Sequence, residues 1–298
     1  MNVVVSVNDG FLFPLKVMLF SLSENTERFL EVYLLYHDLS KKGRSSLERF
    51  VEEKCHGCVH AILMDGKLFR EHDAARSMFS TETFYRLMIP YVLPENVERA
   101  LWIDGDVIFK GNPEDFYDTK AQEQPAALVA AWNDRDRKKL WEYKERLGED
   151  LKTESYFNAG VLLFFPEVIR QRLSAGEIVE FWKRNQKKLL YLEQDILNCL
   201  LGPETILKDA TIYNNQAHSD EDAKEQLETA RVIHYVSYRK PWKLYYEGAG
   251  DGYFWDCAIR AGYGVRSFAW HGLRGPTMLI YGLYKRIRYG EKIRFYKK

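Results

Sequence analysis

The feature that most constrains this chain is the alternation of short apolar segments with segments whose apolar residues recur every three or four positions. Residues 3–7 are a β-branched run, typical of a strand buried on both faces, and Pro14 then fits the start of a helix. The same alternation predicts strands at 32–36, 59–64, 100–103, 126–131, 158–165 and 231–235, and helices at 40–54, 82–88, 167–184 and 194–201. This order predicts an α/β fold, with a Rossmann-like, mostly parallel central sheet and helices on both faces.

Capping residues and prolines set the expected ends of several elements. Ser40 fits the cap of the second helix. Residues 82–88 are expected to form a helix that ends before Pro90, because a proline disfavours helical conformation in the residue before it. Residues 107–109 are expected to resume the strand that precedes them.

The composition limits the classes of protein to which this chain can belong. Of its 298 residues, 46% are hydrophobic and 14% are aromatic, which indicates a packed core. Lysine plus arginine and aspartate plus glutamate both total 43, so the chain lacks the basic excess of a general nucleic-acid-binding protein. No apolar run approaches the ~20 residues of a membrane span, and the first residues lack the pattern of a signal peptide. A cytoplasmic protein is therefore expected.

Charge is unevenly divided between a body, residues 1–265, and a tail, residues 266–298. The tail holds nine basic side chains and one acid, a net charge of +8, which leaves −8 for the body. Its apolar residues at helical spacing are Leu279, Ile280, Leu283, Tyr284 and Ile287. These features predict a basic amphipathic helical tail that binds an anionic membrane surface through residues 276–298. The alternative is a terminal helix packed on the body.

Of the four cysteines, only Cys55 and Cys58 lie close together in the sequence. Their spacing is that of half a zinc site or of a redox motif, but such zinc sites normally have a second close pair. Cys199 and Cys257 stand far apart. A structural role for the thiols is therefore favoured over a metal or redox role.

Paired carboxylates follow one of the predicted strands. Asp104 and Asp106 flank Gly105, which allows a tight turn that brings both carboxylates to one divalent cation. Ligands of parallel sheets bind at the carboxyl ends of the strands, where Asn8 also lies. Burying two uncompensated carboxylates is costly, so a cation is the expected compensation. By itself, an Asp-Gly-Asp turn is also common on protein surfaces.

A second polar cluster follows the last predicted strand. His234 can supply a nitrogen ligand and Lys240 an ammonium group for a phosphate, although a lone histidine is more often structural. No G-x-G-x-x-G or Walker-type loop follows the first strand, which disfavours a nicotinamide dehydrogenase and a P-loop enzyme.

Six segments, taken in order, resemble the retaining glycosyltransferases of family 8, a group that includes glycogenin and bacterial lipopolysaccharide galactosyl- and glucosyltransferases. The segments are Asn8-Asp9-Gly10-Phe11, Thr83-Phe84-Tyr85-Arg86-Leu87, Leu101-Trp102-Ile103-Asp104-Gly105-Asp106, Tyr156-Phe157-Asn158-Ala159-Gly160-Val161, Glu193-Gln194-Asp195-Ile196-Leu197-Asn198 and residues 234–242. The resemblance implies a GT-A fold, with nucleotide-sugar binding and catalysis in residues 1–265.

The resemblance also implies roles for individual residues. Asp104, Asp106 and His234 would bind Mn²⁺, with Mg²⁺ as the alternative, because carboxylates with an imidazole suit Mn²⁺ better. Lys240 would contact the leaving diphosphate, and Arg86 the donor phosphate and sugar. The remaining donor-site residues are Val7, Asn8 and Phe11 at the uridine, Gly105 in the metal turn, and Asn158, Glu193, Gln194 and Asp195 at the sugar.

Retention of configuration requires either a covalent glycosyl-enzyme or attack on the face from which the diphosphate leaves. Gln194 stands where the covalent route needs a nucleophile, and an amide is a poor one, so same-face attack is favoured, with Asp195 as the alternative nucleophile. Phe11 and Glu193 stand where the family commonly has tyrosine and aspartate, and Ser237 replaces a usual glycine. The donor sugar is therefore not carried over from the family.

The expected function is a retaining hexosyltransferase that moves glucose or galactose from a UDP-sugar to a saccharide or lipid-linked saccharide, as in lipopolysaccharide or cell-surface polysaccharide synthesis. A non-catalytic sugar-nucleotide-binding protein is one alternative, and the complete metal triad with Lys240 argues against it. A nucleotidyltransferase that makes UDP-sugars is another, and the lack of a glycine-rich basic loop argues against it. No nucleic-acid partner is expected. Peripheral attachment to the inner face of the plasma membrane is the alternative to a free cytoplasmic protein.

Overall fold

The computed structural model describes residues 1–66, 81–121, 126–132, 139–216, 226–236, 240–246 and 248–289, with only the backbone of 282, 283 and 285–289. Its centre is a seven-stranded sheet of order β3-β2-β1-β4-β7-β6-β8. The strands are β1 Asn2–Ser6, β2 Leu30–Tyr36, β3 Gly57–Leu63, β4 Ala100–Ile103, β6 Leu128–Trp132, β7 Val161–Phe164 and β8 Thr205–Asp209. Only β7 runs antiparallel to its neighbours within this sheet. The predicted α/β fold with a mostly parallel sheet is confirmed.

Helices cover both faces of this sheet. Side chains alternate between the two faces along each strand, so each face carries apolar side chains that helices bury. On β4, Trp102 faces one apolar core, whereas Leu101 and Ile103 face the other. The described α-helices are α1 Leu12–Ser23, α2 Lys41–Lys54, α3 Ile89–Val92, α4 Glu114–Tyr117, α5 Leu140–Leu147, α6 Pro166–Arg170, α7 Ala175–Asn185, α8 Glu193–Leu201, α9 Ala210–Tyr213, α10 Asp251–Ala258 and α11 Gly264–Tyr289. Helices α1 and α2 pack in the core of Leu101, and α5, α7 and α8 pack in the core of Trp102.

A small second sheet carries the other half of the site. Its strands are β5 Val107–Phe109, β10 Val232–His234 and β9 Asn215–Gln216, in that order. Residues 107–109 therefore do not resume β4, as predicted, because the Asp104–Asp106 turn redirects the chain into another sheet. The antiparallel pairing of β5 with β10 sets His234 opposite Val107, one residue after the turn.

Two predicted helices differ from the structure. The helix expected over 167–184 is two helices, α6 and α7, and Ser174 and Glu177 form a capping box that starts the second one. Residues Thr81–Met88 form a 3₁₀-helix that continues into α3 instead of ending before Pro90. Pro90 lies in the first turn of α3, where its missing N–H costs no hydrogen bond. The predicted cap at Ser40 is confirmed.

The last described element, α11, begins two residues before the predicted tail. Its first half is attached to the body: Trp270 is buried, and the Arg266 guanidinium lies 3.8 Å from the ring centroid of Phe13. Val265 and Phe268 are 87% and 83% exposed. Among the described residues, no helix has the length and apolar character that a membrane span requires. Leu279, Ile280 and Tyr284 of the predicted stripe have described side chains, whereas Leu283, Ile287 and the cations of 276–298 lie outside the described side chains.

Candidate functional site

The Asp104-Gly105-Asp106 turn lies where β4 ends and β5 begins. The backbone N–H of Asp104 donates to the carbonyl of Gly160 at 2.8 Å, which ties the turn to the start of β7. A Cβ on Gly105 would lie 3.1 Å from Cδ1 of Phe11, so this close approach favours glycine. Asp106 is buried, and Asp104 is partly exposed. The predicted turn therefore sits at the carboxyl edge of the sheet, against the segment that follows β1.

His234, at the end of β10, brings its imidazole to both carboxylates. Its Nε2 lies 3.4 Å from Oδ1 of Asp106 and 3.9 Å from Oδ2 of Asp104. Its Nδ1 lies 2.9 Å from Oδ1 of Asn214, and because a carboxamide oxygen only accepts, Nδ1 carries the proton. Nε2 is therefore left with a lone pair that faces the two acids. Two carboxylates and one neutral imidazole nitrogen are a ligand set that fits a divalent metal ion such as Mn²⁺.

Lys240 lies on the other side of Asp106. Its Nζ donates to Oδ2 of Asp106 and to the carbonyl of Tyr235, the latter at 2.7 Å. Burial by itself raises the pKa of Asp106, but the positive charge of Lys240 outweighs it and holds that pKa well below its usual range. Asp106 is therefore a carboxylate, ready to act as a ligand.

Arg86 is buried, with 3% of its surface exposed, and is engaged on several sides. It donates to the carbonyls of Thr83 and Ala159 at 3.0 and 2.5 Å, and to Oδ1 of Asp104 at 2.9 Å. Its guanidinium also lies 4.6 Å from the ring centroid of Trp102. The family resemblance implies that Arg86 lies near the donor phosphate and sugar, and the structure adds a direct contact with one of the two acids.

Glu193 lies beside this arginine, with Oε1 3.5 Å from a guanidinium nitrogen of Arg86. It is almost fully buried, and burial raises its pKa, although Arg86 opposes this effect. Its Oε2 has no hydrogen-bond partner among the described residues. A buried oxygen of this kind is available to a ligand that enters the cleft.

A line of carboxamides joins the predicted sugar-binding residues to the histidine. Oε1 of Gln194 accepts from Asn158 Nδ2 at 3.0 Å and from the backbone N–H of Ala159 at 3.1 Å. Oδ1 of Asn158 accepts from Asn214 Nδ2 at 3.0 Å. The structure therefore brings Asn158, Gln194 and His234 together, and Asn214 is the connecting residue.

Asp195 is 0% exposed, and both of its carboxylate oxygens are engaged. Arg146 donates to both oxygens at 2.8 Å each, Tyr156 donates its hydroxyl at 2.5 Å, and the backbone N–H groups of Leu190 and Tyr191 donate at 2.8 and 2.9 Å. Five donors occupy the lone pairs that a nucleophile needs. The contacts of Asp195 position the start of α8.

The residues predicted at the uridine follow β1. Val7 is buried in the core, and Oδ1 of Asn8 accepts from the N–H of Gly10 at 3.1 Å. Phe11 is partly exposed and meets Trp242 edge to face, with 5.3 Å between ring centroids. Phe11 also lies against Gly105, so it adjoins the Asp104-Gly105-Asp106 turn. Ser237 lies outside the described residues.

Two residues of the site were not singled out from the sequence. Gly160 makes room for His234, and its only signal was its place in the Asn158-Ala159-Gly160 segment. Asn214, fully buried, orients the histidine but lies in a stretch with no recognisable motif. Its role depends on the pairing of β9 with β10, which the sequence does not reveal.

Comparison with known proteins gives the family. The model of the family described as “Glycosyl transferase family 8” matches residues 2–245. The chain belongs to glycosyl transferase family 8. Within it, the glycosyltransferase GlyA of Streptococcus pneumoniae is 22% identical over 246 residues, covering 81% of this chain and 32% of GlyA. The lipopolysaccharide 1,3-galactosyltransferase of Salmonella typhimurium is 23% identical over 252 residues, covering 81% and 72% of the two chains. The chain thus spans much less than the full length of GlyA.

A solved structure supports the family assignment at the level of the fold. The crystal structure of the galactosyltransferase LgtC, in complex with donor and acceptor sugar analogues, matches this family 8 chain with a TM-score of 0.74 at 21% identity. The match covers 87% of this chain and 96% of LgtC. The predicted GT-A fold is confirmed.

Proposed function

We propose that this family 8 chain is a retaining hexosyltransferase that transfers glucose or galactose from a UDP-sugar to a saccharide or lipid-linked saccharide, in a Mn²⁺-dependent reaction. The observation that carries the proposal is the convergence of His234 Nε2 with the carboxylates of Asp104 and Asp106. A donor diphosphate requires charge compensation, and these residues offer a metal site beside the cationic Lys240. The name of the Salmonella relative, a galactosyltransferase, agrees with this class of reaction.

Asp104, Asp106 and His234 would hold the metal ion. Bound Mn²⁺, or Mg²⁺ in its place, supplies Lewis-acid stabilisation of the donor diphosphate. Asn214 keeps the proton of His234 on Nδ1, so that Nε2 can act as a ligand without first losing a proton.

Lys240 and Arg86 would compensate the charge of the donor diphosphate that the metal ion leaves. Lys240 would contact the leaving diphosphate, since its ammonium group lies at Asp106, one of the proposed metal ligands. Arg86 is held by two backbone carbonyls and orients Asp104, and in the proposal it lies near the donor phosphate and sugar, beside Glu193. Both arginine and lysine thus act at the end of the donor where negative charge develops.

The geometry at α8 favours same-face attack over a covalent intermediate. Gln194 is tied through its Oε1 to Asn158 and Ala159 and offers an amide, which is a poor nucleophile. Asp195 is buried with both oxygens engaged, so we assign it to positioning Gln194 and not to nucleophilic attack. In the proposed step the acceptor hydroxyl attacks the anomeric carbon as the bond to the diphosphate breaks, and the departing phosphate oxygen takes the hydroxyl proton.

The donor lies along the edge of the sheet in this proposal. The uridine occupies the segment after β1, with Val7 and Asn8 at its edge and Phe11 stacked on uracil above Gly105. Asn158, Glu193 and Gln194 contact the sugar hydroxyls, and the free Oε2 of Glu193 is one acceptor for them. Glucose and galactose differ only in the configuration of the C4 hydroxyl, so a polar contact with that hydroxyl would distinguish them.

The proposed lipid-linked acceptor accounts for the basic residues at the C-terminal end of the chain. We assign membrane attachment to residues 276–298, where seven cations are offset by one acid. Ile280 and Leu279 of α11 are 67% and 51% exposed, which provides apolar surface for the lipid interface. A lipid-linked saccharide is then presented at the same surface.

The decisive experiment measures UDP release from UDP-glucose and UDP-galactose, with and without Mn²⁺. We expect metal-dependent turnover that Asp104→Asn and His234→Ala reduce by at least ~100-fold, since each removes a metal ligand. Asp118→Asn, at an exposed acid paired with Arg28, is the matched control and keeps full activity. Tight UDP binding without turnover supports the non-catalytic alternative, and pyrophosphate release from UTP and a sugar phosphate supports the nucleotidyltransferase.

A further inference from the structure

A second cluster of metal-binding side chains lies at the opposite edge of the central sheet. Glu31 is the second residue of β2, and Cys58 is the second residue of β3. The two strands pair in parallel, with Glu31 opposite Cys58 and Tyr33 opposite His60. Because side chains two residues apart share a face, Glu31, Cys58 and His60 project from the same face at the amino ends of these strands.

The three ligand atoms of this cluster converge on one point. His60 Nε2 lies 2.6 Å from Oε2 of Glu31 and 3.4 Å from Sγ of Cys58. Cys58 Sγ lies 3.0 Å from the same carboxylate oxygen. A cysteine–histidine–acid relay would use both ring nitrogens of the histidine, one towards the thiol and one towards the acid. Here a single nitrogen, Nε2 of His60, faces both Cys58 and Glu31, which is the arrangement expected around a shared ion.

We propose that Glu31, Cys58 and His60 bind Zn²⁺, with water in the fourth position. Thiolate, imidazole and carboxylate are the three kinds of protein ligand that Zn²⁺ takes. Around a tetrahedral zinc ion the ligand atoms are ~3.4–3.6 Å apart, so the pairs need to open by less than ~1 Å. The side chains are partly exposed or exposed, which permits that movement and leaves a side open to water. Zinc replaces the thiol proton of Cys58, which passes to solvent.

The position of the cluster gives the ion a structural role. Within the part of the chain that the structure describes, β3 is the edge strand of the sheet and pairs with β2 alone. An ion held by Glu31 from β2 and by Cys58 and His60 from β3 fastens the edge strand to its neighbour. The ring of His60 already stacks on Tyr33 at 5.0 Å between centroids, which orients the imidazole. None of these residues belongs to the proposed nucleotide-sugar site, so the two proposals are independent.

Co²⁺, a spectroscopic substitute for Zn²⁺, tests the site on the intact chain. A thiolate ligand gives Co²⁺ an intense charge-transfer absorption, which the Asp104, Asp106 and His234 set cannot produce because it contains no sulfur. We expect this absorption in the wild type, its loss in Cys58→Ser, and at least ~10-fold weaker Co²⁺ binding in His60→Ala. His56→Asn is the matched control, because it changes a neighbouring histidine outside the cluster and asparagine tolerates the positive φ of 46° at that position.

Two further measurements separate this site from the proposed function. Asp104→Asn should keep the thiolate absorption while it loses sugar-nucleotide turnover, and Cys58→Ser should keep turnover. Excess Zn²⁺ should displace Co²⁺ and abolish the absorption. The proposal is overturned if the wild type shows no thiolate absorption, or if Cys58→Ser and His60→Ala bind Co²⁺ with the wild-type spectrum and affinity.

Discussion

Gly160 and His234 share a space that only one side chain can fill. A Cβ on residue 160 would lie 2.2 Å from Cε1 and 2.6 Å from Nδ1 of His234, well inside contact distance. The carbonyl of Gly160 also accepts the backbone N–H of Asp104. This one residue therefore positions two of the three proposed metal ligands, one through its backbone and one through its lack of a side chain.

Gly160→Ala should displace the imidazole and lower Mn²⁺ affinity by at least ~10-fold, as loss of a ligand's support does. Calorimetric titration with Mn²⁺ measures the change. Gly252→Ala is the control, since a Cβ there meets nothing within 4 Å. Equal Mn²⁺ affinity in Gly160→Ala and the wild type would show that His234 is not a ligand.

Asn214→Ala should weaken Mn²⁺ binding by ~10–100-fold, because the proton on His234 is no longer held on Nδ1. Electron paramagnetic resonance of free Mn²⁺ reports the affinity. The adjacent Asn215→Ala removes a contact with the Thr211 carbonyl instead and serves as the matched control. If both variants bind Mn²⁺ equally well, the orienting role of Asn214 is wrong.

Asp195→Asn should destabilise the fold by about 3–5 kcal/mol, because it leaves the charge of Arg146 unpaired beside a buried group. Urea denaturation measures the free energy of unfolding. Glu154→Gln, at an exposed ion pair with Lys144, should change it by less than ~1 kcal/mol. A stable Asp195→Asn variant that has lost only turnover would instead favour Asp195 as the nucleophile.

Phe11→Ala should weaken UDP binding by about 1–3 kcal/mol, the range for losing one base–aromatic stack. Calorimetry with UDP provides the dissociation constant. Phe268→Ala changes an exposed phenylalanine of α11 and should leave that constant unchanged. A similar dissociation constant in both variants would make Phe11 a packing residue of Gly105 and Trp242.

Truncation after Gly275 should abolish binding to vesicles that contain anionic lipid, because it removes the cations and apolar residues of 276–298 while Trp270 remains to dock α11. Co-sedimentation at low salt compares the full chain with the truncated one. Neutral vesicles are the control for charge. Retention of both forms in the supernatant would contradict membrane attachment and favour a soluble acceptor.

The sequence predicted those parts of the site that depend on local patterns. A strand followed by an Asp-Gly-Asp turn is visible in the order of residues, and the carboxyl edge follows from the parallel sheet. The prediction that residues 107–109 resume β4 is wrong, because they form β5 of the second sheet. A short apolar strand fits either sheet, and only the geometry of the turn decides between them. The break after α6 was missed, although Ser174 and Glu177 form a recognisable capping box.

Contacts across strands were beyond sequence reasoning. Spacing in the chain groups Cys58 with Cys55, but the structure pairs Cys58 with Glu31 and His60 through the register of β2 and β3. Asn214 likewise meets His234 only because of strand pairing. Register depends on how whole strands fit their neighbours, and no single segment contains that information.

The hydrogen bonds that link the carboxamides of Gln194, Asn158 and Asn214 to His234 have a fixed donor-to-acceptor direction, which the backbone sets. The N–H groups of Ala159 and Gly160 can only donate, so Gln194 and Asn158 must turn their oxygens towards them. Asn158 then requires the NH₂ of Asn214, whose oxygen is left for the imidazole. The tautomer of a histidine on β10 is thus dictated by two peptide bonds at the entrance to β7. No amide in the line can flip alone.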